Sequence, residues 1–247
     1  MSTRRRVQKQ PAYVLIRRPF SESSLIVDAV TRDYGRIALL AKGARRLKSP
    51  YRGLLQGFLP LSIGWSGRRD LVTLTRAEAA AHAPRLSGRA LLFGCYANEL
   101  LVRFLQRGDP HEDLFDAYER LIEALGRESD GEWSLRLFEI ALLRDIGYGL
   151  LLEREAVGQQ SVEAGRRYLY VPDRGPLEEG ASGFNGVPVH GETLLALRDG
   201  VYPDALWRRE ARQLTRTVLG SLLEGRELKS RLVYRQMFGA KTDIGDS

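Results

Sequence analysis

Over the first 80 residues the hydrophobic positions fall in short runs separated by turn chemistry, the pattern of strands rather than helices. Ala12 to Arg17 is the first run, and Arg18-Pro19-Phe20-Ser21-Glu22 breaks it. Ser24 to Thr31 and Arg36 to Ala41 flank Arg32-Asp33-Tyr34-Gly35, which predicts a hairpin, because Asp and Gly supply turn-compatible backbone geometry. Leu54 to Trp65 is a longer apolar run interrupted by Gly57 and Pro60, residues that mark a bulge or edge within a strand, and Leu71 to Thr75 is the fifth. Five strands in about 65 residues predict a small barrel, and strand count alone does not separate an OB-fold from an SH3-like one.

From Pro84 the period lengthens to about 3.6, which predicts a domain boundary between residues 1–83 and 84–247. Helices are expected over Ala90–Gln106, with Leu91, Tyr96, Leu100 and Phe104 on one face, and over His111–Leu125 and Trp133–Ile146. Residues 157–189 are rich in Gly and Pro and predict an irregular insertion with one short strand at Tyr168–Val171. Helices resume over Gly191–Arg198, Pro203–Leu223 and Leu228–Phe238. The fold class is therefore α+β, a five-stranded N-terminal barrel followed by a mainly helical domain.

Charge changes the picture because it is regional. Residues 1–83 carry 16 Lys/Arg against 5 Asp/Glu, a net of +11; residues 84–197 carry 12 against 19, a net of −7; residues 198–247 carry 10 against 7, a net of +3. Cations concentrated in one third of a chain attract polyanions, either nucleic acid or an anionic membrane. They do not fall on an amphipathic helix, which weakens the membrane reading. No apolar run reaches the roughly 18 residues of a membrane span, and the basic N-terminus leads into no secretory-type segment, so a cytoplasmic location is expected.

The densest cluster is Lys42-Gly43-Ala44-Arg45-Arg46-Leu47-Lys48-Ser49-Pro50-Tyr51-Arg52, five cations in eleven residues. Gly and Pro make it a loop; the cations suit phosphates, and Tyr51 offers a face on which a base can stack. A solvated basic loop is the plain alternative. Arg36, Arg68 and Arg69 at neighbouring strand ends, and Arg4, Arg5, Arg6 and Lys9 in the tail, favour nucleic-acid contact. Near the C-terminus Arg208, Arg209, Arg212 and Arg216 recur at helical spacing, with Lys229 and Arg231 beyond. Arg212 and Arg216 could extend the anion path, and a solvated face explains them equally well.

Enzymatic constellations are sparse. Gly43 and Lys48-Ser49 superficially resemble a phosphate-binding loop, but the second Gly is missing and Pro50 prevents the helix such a loop leads into. His82, His111 and His190 lack metal spacing, Gly64-Trp65-Ser66-Gly67 is not a nucleophile elbow, and Glu112-Asp113 suit a helix N-terminus. Cys95 is the sole cysteine, in an apolar helical context that predicts an inert core thiol. Arg136 lies within the apolar helix Trp133–Leu143. Either it snorkels to water from a core helix, or it edges an apolar groove that captures a peptide ending in a hydrophobic side chain and a free carboxylate.

An ordered set of segments is more specific than any one of them: Arg18-Pro19-Phe20-Ser21-Glu22-Ser23-Ser24-Leu25, Thr31 through Gly35, Ala41-Lys42-Gly43-Ala44-Arg45, Tyr96-Ala97-Asn98-Glu99-Leu100-Leu101, Arg136 to Leu143 with Gly147-Tyr148-Gly149, and Leu228-Lys229-Ser230-Arg231. Together they resemble the bacterial RecO recombination mediators, nearly end to end. The resemblance implies an N-terminal OB-fold, a helical domain and a non-enzymatic role in recombinational DNA repair. It also implies binding and annealing of single-stranded DNA, and loading of recombinase with RecR onto DNA covered by the single-strand-binding protein SSB. A RecF-like protein is a further candidate partner, and the location becomes nucleoid-associated. The DNA contacts expected from charge and loop chemistry are Arg36, Lys42, Arg45, Arg46, Lys48, Tyr51, Arg52, Arg68, Arg69, Arg212 and Arg216; the resemblance adds Arg136, which matches the arginine expected to meet the acidic SSB tail. Some family members carry a four-cysteine zinc site; Glu153 to Gly158 and the following loop have no cysteine, so no metal or other cofactor is expected. Two other readings remain, an OB-fold RNA-binding factor and a phosphate-handling enzyme using the Gly43–Ser49 loop.

Overall fold

The computed structural model describes residues 6–67, 70–82, 84–127, 131–181 and 183–238. Its first strand, β1 (Arg6–Pro19), is long enough to pair on both sides, with β2 (Leu25–Thr31) and with β4 (Leu61–Ser66). Bulges between Val7 and Gln10 and between Val14 and Ile16 bend it for that double duty. The hairpin of β2 with β3 (Gly35–Ala41) keeps an unbroken antiparallel register from Leu25↔Ala41 to Thr31↔Gly35. Parallel pairing of β3 with β5 (Leu71–Ala79) through Ala38↔Leu71 closes the order β1-β2-β3-β5-β4, the topology of an OB-fold barrel. Alternation on the strands sends Val14, Val27, Leu39, Leu61, Ile63 and Leu74 into one interior cluster.

The expected strand over Leu54–Trp65 exists only from Leu61. Pro60 donates no ladder bond and Phe58 takes a left-handed backbone (φ 68°), so the first half coils instead and drops Leu55 and Leu59 into the barrel core. Each such burial stabilises by about 1.5–3 kcal/mol. A Cβ on Gly94 would stand 2.7 Å from the Phe58 ring, so glycine lets that coil lie close against α1 (Gly88–Phe104).

By packing, the first compact unit runs to residue 129 and the second begins at 130. The change of period at Pro84 marks the passage from strand to helix, while α1 and α2 (Glu112–Gly126) pack with the barrel. A buried relay ties them to it: the Tyr118 hydroxyl donates to Asn98 Oδ1 (2.6 Å), and Asn98 Nδ2 donates to the Leu15 carbonyl (3.1 Å). On α1 the buried face is Leu92, Phe93, Tyr96, Ala97, Leu100 and Leu101; Leu91, expected inside, is exposed. Cys95 is half-buried beside that face, and burial pushes its thiol pKa up.

The second unit holds α3 (Gly131–Asp145), α4 (Gly191–Asp199), α5 (Ala205–Leu222) and α6 (Lys229–Phe238). The irregular stretch between α3 and α4 carries a small antiparallel sheet of order β7-β6-β8, from β6 (Arg167–Val171), β7 (Gly175–Glu178) and β8 (Val187–His190). Sequence pattern shows one of these strands; the other two are four residues each, too short to display a period. Burial pushes the Tyr170 hydroxyl up to about 12. Among the described residues no helix is long and apolar enough to cross a membrane.

Candidate nucleic-acid interface

The Lys42–Arg52 segment connects β3 to the Leu54–Pro60 coil and is a chain of tight turns. Backbone N–H groups of Ala44, Arg46, Ser49 and Arg52 donate to the carbonyls of Ala41, Gly43, Arg46 and Ser49 in succession. Gly43 takes the left-handed conformation (φ 69°) that opens the first of them. Ala44 is buried and Tyr51 and Leu54 pack partly into the barrel core, which leaves Lys42, Arg45, Arg46, Lys48 and Arg52 on the outside. The loop is thus apolar inward and cationic outward.

A second turn, between β1 and β2, is fastened to it. The Arg45 backbone N–H donates to the Ser23 carbonyl (2.9 Å) and its Nη1 to the Ser21 carbonyl (2.7 Å). Arg45 thereby positions the surface as well as charging it. That turn presents Phe20, 57% exposed, and Arg18, with Glu22 the carboxylate among them. Arg17 Nη1 donates to the Leu55 carbonyl (3.1 Å), and Arg52 Nη1 to the Leu47 carbonyl (3.2 Å). Lys42, Arg46 and Lys48 point into solvent, with no carboxylate paired to them among the described residues. Leu47 sits among them 81% exposed.

Of the two aromatics at this surface, the one not expected from sequence is the more exposed. Tyr51 is half-buried, its hydroxyl pKa raised by that burial, and Phe20 is the ring that water reaches. The signal was an aromatic directly after Pro19 in a turn, where neither a strand nor a helix face could bury it.

Other expected contacts are placed elsewhere. Arg36 is mostly buried: Nε pairs with Asp28 (2.9 Å), and Nη1 donates to the carbonyls of Val102 (2.7 Å) and Leu105 (3.1 Å) at the end of α1. It caps a helix, where a cation also suits the dipole. Arg68 and Arg69, like Arg4 and Arg5 of the tail, lie outside the described residues. On the opposite strands Arg6, Lys9 and Arg76 line a small cleft of about 170 Å³ with Gln8, Gly64 and Thr75, and Arg76 pairs with Glu78.

In the second unit Arg136 does not snorkel. It is 2% exposed, its Nη1 lies 3.2 Å from Glu139 Oε2 and 3.2 Å from Thr215 Oγ1, and its Nε and Nη2 have no hydrogen-bond partner among the described residues. A guanidinium so enclosed offers no donor to a carboxylate arriving from solvent. Arg212 and Arg216 stand on α5 with Arg209 and line a groove with Arg231 of α6. His190 and Glu210 form a half-buried pair (2.7 Å), with Thr193 also donating to Glu210 (2.6 Å). Among the described residues no three His, Cys, Asp or Glu side chains converge as a metal site would need.

Comparison with known proteins accounts for both parts of the chain. Residues 4–82 match the family model described as recombination protein O N terminal, and residues 85–232 match recombination protein O C terminal. The chain belongs to the RecO family. Relatives of this RecO chain include the DNA repair protein RecO of Dechloromonas aromatica, 42% identical over 96% of this chain and 99% of the relative. That of Nitrosococcus oceani is 44% identical over 94% of each chain, and that of Methylococcus capsulatus is 44% identical over 93% of this chain and 94% of the relative. Similarity extends along both units.

Proposed function

We propose that this chain is a recombination mediator: a protein that binds single-stranded DNA across the Lys42–Arg52 loop and the Phe20 turn, and anneals complementary strands. A role in DNA repair is the broader statement, which membership of the RecO family supports. Loading recombinase onto SSB-covered DNA with RecR, and with a RecF-like protein, is the finer one. Work on DNA in the cytoplasm, at the nucleoid, goes with it.

The observation that carries the reading is the outward row of Lys42, Arg46, Lys48 and Arg52 beside exposed Phe20. Cations along a groove or loop neutralise phosphates without reading sequence, and an exposed ring stacks on any base. Screening the repulsion between two backbones while the bases stay free to pair is all that annealing requires, and no covalent step is involved. The acidic SSB tail belongs to the same set of partners, and with Arg136 2% exposed it would be met by cations at the surface.

Anisotropy with a labelled oligonucleotide tests the reading. Lys42→Ala, Arg46→Ala, Lys48→Ala and Arg52→Ala combined should weaken binding and slow annealing while leaving the thermal midpoint near that of the parent, and Phe20→Ala should lower affinity by about 1–3 kcal/mol. Unchanged affinity in both would overturn it. Preferential displacement by matched single-stranded RNA would instead favour an RNA-binding factor, because only a site that reads the 2′-hydroxyl prefers RNA.

A further inference from the structure

The barrel wall is bulged twice at one level, and both bulges face Gly64 of β4. On one side β1 sets Gln8 and Lys9 against it, between the pairs Val7↔Trp65 and Gln10↔Ile63. On the other, β5 carries Thr75 as the extra residue between Trp65↔Leu74 and Gly64↔Arg76. Bulges re-aim the side chains around them, and here Gln8, Lys9, Thr75 and Arg76 converge with Arg6 on a cleft of about 170 Å³. Gly64 is its floor. A Cβ there would stand 3.5 Å from Thr75 Oγ1 and 3.6 Å from the Gln8 Cα, so any other residue would fill the space between those two. Lys9 holds a left-handed backbone (φ 55°), which glycine adopts without strain and lysine does not. Glycine would serve the bulge better; what lysine adds at that strained position is its ammonium.

Among the described residues no carboxylate is paired to Arg6 or Lys9, and Arg76 Nη2 lies 2.6 Å from Glu78 Oε1. Three cations against one carboxylate leave a surplus of two positive charges. A backbone phosphodiester brings a single negative charge. A phosphate monoester brings about 1.5–2 near neutral pH, with three acceptor oxygens. At about 170 Å³ the cleft is smaller than the roughly 300–1,000 Å³ of sites that enclose a whole organic ligand, and it suits a phosphate head whose remainder stays outside. We propose that this cleft binds a phosphate monoester, with Arg6, Lys9, Arg76, the Thr75 hydroxyl and the Gln8 amide as its donors. Two sources carry that group, a free nucleotide and the 5′-phosphorylated end of a strand. The site is built by β1, β4 and β5 without the Lys42–Arg52 loop, so it does not depend on that loop binding DNA.

Thymidine 5′-monophosphate, followed by phosphorus NMR on the full-length chain, is the probe. Inorganic phosphate should displace it, and thymidine, which lacks the phosphate, should not. Lys9→Gly removes the ammonium and relaxes the backbone. It should leave the thermal midpoint unchanged or higher while weakening monophosphate binding roughly tenfold, one charge-assisted hydrogen bond's worth. Arg6→Ala should weaken it to a similar degree. Alanines at Lys42, Arg46, Lys48 and Arg52 should leave monophosphate binding intact, so failure of the barrel-loop reading and failure of this one give different results. Anisotropy with an oligo-dT strand ending in a 5′-phosphate or a 5′-hydroxyl then identifies the source. A preference for the phosphorylated strand that Lys9→Gly abolishes assigns the strand end; equal affinities, with the monophosphate bound, assign the free nucleotide. No monophosphate binding by the parent chain overturns the proposal. So does binding that thymidine displaces, or that both Lys9→Gly and Arg6→Ala leave unchanged.

Discussion

Arg36 and Arg46 are the same residue type ten positions apart, and their surroundings give them opposite roles. Arg36 is enclosed by Asp28 and by the last carbonyls of α1, while Arg46 projects from a turn with no carboxylate paired to it among the described residues. Arg36→Ala removes charge-assisted hydrogen bonds worth about 1.5–3 kcal/mol each before compensation, so it should lower the unfolding midpoint in denaturant. Arg46→Ala should leave that midpoint within about 0.5 kcal/mol and weaken DNA binding instead. Arg136 is the extreme case. Removing it strands the buried Glu139 carboxylate without its arginine, and Arg136→Ala should destabilise the chain by about 3–5 kcal/mol. Arg136→Met combined with Glu139→Leu should restore much of that loss, because an apolar pair of similar volume needs no desolvation. Urea titrations of the three chains decide this; an Arg136→Ala chain of unchanged stability would mean that the pair contributes nothing to the fold.

Among elements, the β2–β3 hairpin shows how a turn written in the sequence acquires a tertiary job. Gly35 takes a left-handed backbone, and a Cβ there would collide with the Asp109 carbonyl, so the tip can lie against the α1–α2 connection. From the same tip Arg32 pairs with Asp116 (3.0 Å) and Glu112 (2.9 Å) of α2. The Arg32 guanidinium holds the Asp116 carboxyl below its usual pKa. A depressed folded-state pKa stabilises above the unfolded value and that contribution is lost as pH falls through the folded one. Arg32→Ala should therefore shrink the difference in stability between neutral and acidic pH; an acid limb identical to the parent's would show the pair to be inert. The hairpin, the helices and the number of barrel strands were legible because each has a strong period or a turn residue, whereas the strand order was not. Less was legible where side chains act across elements. Nothing local distinguishes Arg36, which caps a helix some seventy residues on, from Arg46, and nothing in the apolar run after Tyr51 says that Leu55 and Leu59 leave the strand to plug the core. The partners that decide those outcomes are distant in sequence.

On the scale of the whole molecule, the regional charge asymmetry is concentrated on the barrel unit, whose Lys42–Arg52 loop turns Lys42, Arg46, Lys48 and Arg52 outward. That surface is made by residues close in sequence, and so was visible as a basic run; Arg209, Arg212, Arg216 and Arg231 line one groove only because α5 and α6 bring them together. Cys95 is half-buried beside the packed face of α1 and His190 pairs with Glu210, and the activity proposed for the chain is binding of single-stranded DNA. The most direct test of that central claim is the affinity of the full-length chain for a single-stranded oligonucleotide measured across a salt series. With about six phosphates engaged, log affinity should fall against log salt with a slope near −4, and each alanine placed at Lys42, Arg46, Lys48 or Arg52 should shallow it by about 0.7. A slope near zero, or one that those four substitutions leave untouched, would contradict it.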